Sequence, residues 1–166
     1  MKKTLNRVIS TLIGVTAGAA AGSIAIRSAS LKKVHKMAEN HAKLHMLYAA
    51  FDQWLRIRQE GKMLVEYFEK NEYKTVAIYG MKELGERLYA ELEGSDIKVK
   101  YIIDKNADQI CADVDVITPD GNLEPVDVIV VTAFYYFDEI EEMLSEKVDY
   151  PIVSLKNILK DILHEA

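Results

Sequence analysis

The 166-residue chain has a single cysteine, Cys111, so no internal disulfide can form, and no C-x-x-C or Cys/His pattern surrounds it. A reducing compartment is the natural reading of such a thiol. Acidic residues are missing from positions 1–36, which carry Lys2, Lys3, Arg7, Arg27, Lys32, Lys33 and Lys36 for a charge of +7. Charge of either sign is missing from residues 8–26, and proline is missing from 31–70, where Gly61 is the lone glycine. The patterns G-x-S-x-G, H-E-x-x-H and the P-loop do not occur. Short-chain dehydrogenases need Tyr and Lys four apart on a helix face. The one such pair here, Tyr101 and Lys105, falls on an expected strand and its exit, where side chains alternate with a period of two. The length allows one ordinary domain plus an extension, not separate cofactor and substrate domains. These absences lean away from catalysis by this chain alone.

What is present divides into three segments: an N-terminal membrane anchor at 1–30, a juxtamembrane helical segment at 31–72 and an α/β domain at 73–166. The last part is acidic: residues 75–166 carry −12 against zero for 37–74, leaving −5 overall. That balance argues against a nucleic-acid partner, because binding phosphate backbone takes a basic face.

Residues 8–26 are 19 uncharged positions. As a helix they span roughly 28 Å, close to the thickness of a bilayer core. The alternative is a cleaved signal peptide, with Lys2, Lys3 and Arg7 as its basic start. The run exceeds the apolar length of such peptides and basic residues follow it directly, which favours an anchor. Lysine and arginine are slightly richer after the run than before it, so the expected topology is single-pass in the cell membrane with the C-terminal domain cytoplasmic. Gly14, Gly18 and Gly22 recur every four residues, the spacing at which small residues let two helices approach in lipid. A homo-oligomer through this face and the juxtamembrane helix is the expected assembly, the alternative being a weakly apolar span without a partner.

Residues 31–70 are rich in helix formers, and Val34, Met37, Leu44, Tyr48, Phe51 and Leu55 follow a three-four spacing broken by His41. This predicts a long helix whose seam packs on a second copy or on the following domain. His41 and His45 stand four apart, but no third ligand accompanies them, and they read as polar positions on an amphipathic helix.

From Thr75 strands and helices alternate. Strands are expected at 75–79, 98–103, 115–117, 127–131 and 152–153, and helices at 83–93, 138–147 and 155–163. The helix at 138 reads as opened by an Asp138-x-x-Glu141 capping pattern. Such alternation predicts a small doubly wound parallel sheet, Rossmann-like, with helices on both faces. Its ligands would sit beyond the carboxyl ends of the strands, where strand order reverses.

Four segments converge there: the Gly80–Gly85 turn, Asp104, the stretch from Thr132 containing Tyr135, and Ser154. In the fingerprint G-x-G-x-x-G, Gly80 and Gly85 take the first and third places and Lys82 the second. A side chain at the second place crowds a pyrophosphate, yet an ammonium at a helix N-terminus can strengthen an anion site. Asp104 ends the second strand where an acid usually accepts a ribose hydroxyl. The alternative is that Gly80 serves only the turn, Gly85 only helix packing and Asp104 only a cap. Phe134, Tyr135, Tyr136 and Phe137 could stack on a base or anchor the next helix.

The stretches VAIYGMKELGERLYAEL, YIIDKN and PVDVIVVTA, with the aromatic and D-E-I-E helix that follows, resemble the small Rossmann-like nucleotide-sugar-binding domains of bacterial polysaccharide biosynthesis proteins. These include the N-terminal domains of nucleoside-diphosphate-sugar epimerases/dehydratases and of sugar acetyltransferases. The resemblance covers residues 73–158 and implies that Gly80, Gly85 and Asp104 line a nucleotide site, with a nucleotide-sugar or NAD(P) as ligand and polysaccharide biosynthesis enzymes as partners. The leading expectation is a membrane-anchored nucleotide-binding accessory protein. A ligand-free scaffold that assembles a membrane complex is the second, and a small NAD(P)-dependent oxidoreductase the third.

Overall fold

The computed structural model describes the backbone of residues 2–164 and the side chains of residues 31–164. The chain divides into two compact units, residues 1–45 and 46–166. Helix α1, Lys2–Gln59, supplies all of the described first unit and enters the second. Among the described residues no helix is long and apolar enough to cross a membrane; the uncharged run at 8–26 and its Gly14, Gly18 and Gly22 lie outside the described side chains.

Gly61 is not absorbed into a continuing helix as the sequence pattern suggested. It sits at φ +78°, and its N–H donates to the Arg58 carbonyl while the Lys62 N–H donates to that of Ile57. This pair of bonds is the Schellman stop, which satisfies the last carbonyls of a helix through a left-handed residue. A short helix follows, α2 at Val65–Lys70. It closes with the same geometry around Glu72, at φ +60°.

The second unit is an α/β structure built on an all-parallel five-stranded sheet flanked by helices. Its elements are β1 Thr75–Tyr79, α3 Glu83–Leu92, β2 Lys98–Ile103, β3 Asp115–Ile117, β4 Val128–Val131, α4 Phe137–Ser145, β5 Ile152–Ser154 and α5 Leu155–His164. The strand order is β3-β2-β1-β4-β5. It matches the first five places of the 3-2-1-4-5-6 order found in dinucleotide-binding sheets, with the reversal between β1 and β4. Valine and isoleucine fill these strands because the sheet is buried on both faces.

Alternate residues feed two cores. Val76, Ile78, Val128 and Val130 face a cluster that takes Leu84, Leu88 and Leu92 from α3, Leu155, Ile158, Leu159 and Ile162 from α5, Phe68 from α2, and Ala50, Trp54 and Ile57 from α1. Ala77, Tyr79, Tyr101, Ile103, Ile129 and Val131 face the other side, against Ile140 and Leu144 of α4. Among the described residues, α4 is the one helix that packs on that second face. The β2–β3 connection is a single 3-10 turn at Ala107–Gln109, and residues 118–127 join β3 to β4 without a helix. That loop begins with a turn in which the Gly121 N–H is bonded to the Thr118 carbonyl.

Two further expectations need correction. The seam at Val34, Met37, Leu44, Tyr48 and Leu55 is exposed, and of that stripe Phe51 alone packs against the core, so the seam is not the face that the core takes up, while its pairing with a second copy stays an expectation of the sequence. The face of α1 that the second unit buries is the neighbouring one, Ala50, Trp54 and Ile57, fixed further by a 2.6 Å bond from the Trp54 indole N–H to Glu91. Glu91 also accepts the Leu64 N–H, so one carboxylate joins α1, the segment after Gly61 and α3. The second correction concerns α4. Asp138 does not cap it, because a 3-10 turn at Phe134–Tyr136 carries the chain directly into the helix and leaves Asp138 and Glu139 in its first turn.

Candidate functional site

At the β1/β4 reversal the chain leaves β1 through Gly80, whose φ of +92° is a conformation that glycine adopts without strain. Its N–H donates to the Ile103 carbonyl and its own carbonyl accepts from the Thr132 hydroxyl at 2.7 Å. A Cβ on Gly80 would lie 2.9 Å from that hydroxyl oxygen. Thr132 is buried at the end of β4, and its N–H donates to the Tyr79 carbonyl. The reversal is thus locked from both strands.

The next glycine has a different reason. Gly85 lies in the first turn of α3, and a Cβ there would come within 2.1 Å of the Gly80 carbonyl oxygen. Its bare Cα lets α3 start directly against the turn, the role of the third glycine in the dinucleotide fingerprint. The first-turn N–H groups of a helix have no partner within the helix and carry its positive end. Here Glu83 and Glu86 also occupy that first turn, which offsets part of the positive field. Lys82 is the cation at the same place. It holds the cap position in an extended conformation, is exposed, and makes no capping bond with its side chain.

Asp104 is 8% exposed at the exit of β2. One carboxylate oxygen accepts the Met81 N–H at 3.0 Å, and the other accepts the Asn106 N–H at 2.9 Å. The acid therefore binds the Gly80 turn itself and closes an Asx turn two residues on. Carboxylate oxygens have lone pairs to spare, so a further donor can still be accepted. Asn106 and the Met81 N–H escaped the reading of the sequence; the D-x-N spacing after a strand was the available signal.

The aromatic run divides its labour. Phe134 packs against one core and Phe137 against the other, so these two anchor the 3-10 turn. Tyr135 and Tyr136 are 40% and 43% exposed and meet edge to face at 5.2 Å. Gly80, Lys82, Gly85, Asp104 and Thr132 thus gather around one turn, with Tyr135 three residues beyond Thr132. Ser154 ends β5, buried and with its hydroxyl unpartnered.

A cavity of about 250 Å³ lies elsewhere in this unit, lined by Lys62, Glu66, Tyr67, Lys70, Asn71, Asp161 and Ile162. Its Tyr67 phenol is pushed up to about 12 by burial and then by Tyr73 and Asp161. His41 and His45 are exposed, and among the described residues no cluster of potential ligands could hold a metal ion.

Comparison with protein-family models gives no match, and comparisons with curated proteins and with solved structures give none either.

Proposed function

We propose that the second unit is a Rossmann-like module that binds a nucleotide or nucleotide-sugar at the Gly80 turn. On this reading it is held to the cell membrane by residues 8–26, faces the cytoplasm and serves envelope polysaccharide synthesis as an accessory. The observation that carries the binding reading is the strand reversal itself. There a glycine at positive φ, a second glycine with no room for a Cβ, a helix N-terminus and a buried acid from the neighbouring strand meet at one point. Nucleotide sites in open α/β sheets are built from these parts. Membrane attachment, pairing through Gly14, Gly18 and Gly22, and the pathway rest on the sequence alone.

The scaffold reading draws on a different observation: Asp104 already accepts the Met81 and Asn106 N–H groups, the Thr132 hydroxyl already donates to the Tyr79 and Gly80 carbonyls, and two acids share the first turn with Lys82. Lys82→Gly separates the two because it has opposite signs in them. If Lys82 adds charge to a phosphate site, calorimetric titration with UDP-glucose, ADP and NAD gives weaker binding for the variant and a smaller salt dependence. If Lys82 blocks a degenerate site, the variant gains binding to a pyrophosphate ligand that the wild type rejects. Silence from both proteins leaves the scaffold reading.

A further inference from the structure

Buried hydroxyls in folded proteins almost always have a hydrogen-bond partner, so one without a partner calls for a reason. Among the described residues two buried side-chain groups lack one, the hydroxyls of Tyr79 and Ser154. Both are nine-tenths or more buried, at 4% and 3% exposure. They are not scattered. Tyr79 pairs in register with Val131, and Val131 with Ser154, so all three lie in one row across the sheet at its carboxyl end. Tyr79 faces the core that α4 covers, and Ile152, which shares a sheet face with Ser154, packs in that core too. Val131 is the row's residue on the strand beyond the reversal, beside Thr132.

The other buried polar groups of this edge are satisfied: Asp104 by Met81 and Asn106, Thr132 by the carbonyls of Tyr79 and Gly80. Tyr79 is the residue immediately before Gly80, so its backbone belongs to the reversal while its side chain lies on the α4 side of the sheet. Its acidity is suppressed, first by burial and then by the charges of Asp104 and Asp120, carboxylates that follow β2 and β3. The hydroxyl therefore keeps its proton at neutral pH, ready to donate. Carboxylates nearby make it a poor place for a phosphate and a suitable one for an uncharged oxygen.

Resting on the nucleotide-binding reading above, we propose that Tyr79 is the ligand-recognition residue of this site. Its hydroxyl would donate to a sugar oxygen on the α4 side of the sheet edge, while the phosphates lie at the start of α3. Ala133 and Phe137, from the segment after β4, pack against the cluster that holds Tyr79.

The test is Tyr79→Phe in the purified full chain, read by thermal melting without ligand and by titration with UDP-glucose, ADP and NAD. Removing an unpartnered hydroxyl should leave the melting temperature unchanged or raised. Binding of whichever probe the wild type takes should weaken about tenfold. Equal binding by wild type and variant overturns the role of Tyr79 while leaving the nucleotide site standing. A lower melting temperature with unchanged binding gives the hydroxyl a structural role and overturns the proposal as well. If the wild type binds none of the three probes, the nucleotide reading fails and this inference fails with it.

Discussion

Gly85 has room for nothing larger than hydrogen, and that single fact fixes how α3 meets β1. A methyl group placed there would sit 2.1 Å from a backbone oxygen that Thr132 also holds, so neither side can yield cheaply. Gly85→Ala should therefore cost about 3 kcal/mol, the upper part of the range for overpacking a filled interior, as measured by urea denaturation. Glu72 presents the opposite case. It closes α2 at φ +60°, a conformation that a side chain resists and glycine accepts, and its side chain is exposed. Glu72→Gly should raise stability by about 0.5–1 kcal/mol in the same assay, the left-handed strain relieved less the added flexibility of the unfolded chain. The sequence announced Gly85 through its five-residue spacing from Gly80. Nothing in the sequence marked Glu72, because left-handed closure there is imposed by α2 packing Phe68 into the core.

At the scale of elements, the strands were legible because runs such as VAIY and VIVV have few alternatives to a sheet buried on both faces. The choice of face on α1 was not legible. Leu44, Tyr48 and Leu55 make as good an apolar stripe as Ala50, Trp54 and Ile57, and only the placement of Glu91 and the shape of the core decide between them. The candidate site was legible as a set of positions and not as a set of bonds. Asp104 stood at the expected strand end, but its attachment to the Met81 N–H depends on how the turn folds back. The opposite end of the sheet has its own clasp. Asp127, exposed before β4, accepts from the Lys74 N–H, the Thr75 N–H and the Thr75 hydroxyl through one oxygen. The backbone bonds from Lys74 and Thr75 hold its pKa below the ordinary 3.8, against a smaller opposing effect of burial. A carboxyl more acidic in the folded chain than in the unfolded one stabilises above the unfolded value and loses that contribution as pH falls through the folded one. The melting temperature of the wild type should therefore exceed that of Asp127→Asn by a constant amount above pH 3.8, and the gap should close below it. A gap that persists unchanged into stronger acid would mean that the clasp does not depend on charge.

For the whole molecule, the central proposal is that the Gly80 turn is where this chain meets a nucleotide. The chain is basic before residue 37 and acidic after residue 74, and Lys82 is one of only eight bases in the acidic part. Amide hydrogen exchange of the full chain, with and without saturating UDP-glucose or NAD, tests the claim most directly, since it reports where a ligand acts without presuming a residue. The account predicts slower exchange concentrated at residues 80–86 and 104–106, with the 62–71 segment that lines the separate cavity unchanged. Binding that slows exchange at 62–71 and leaves 80–86 untouched would contradict it.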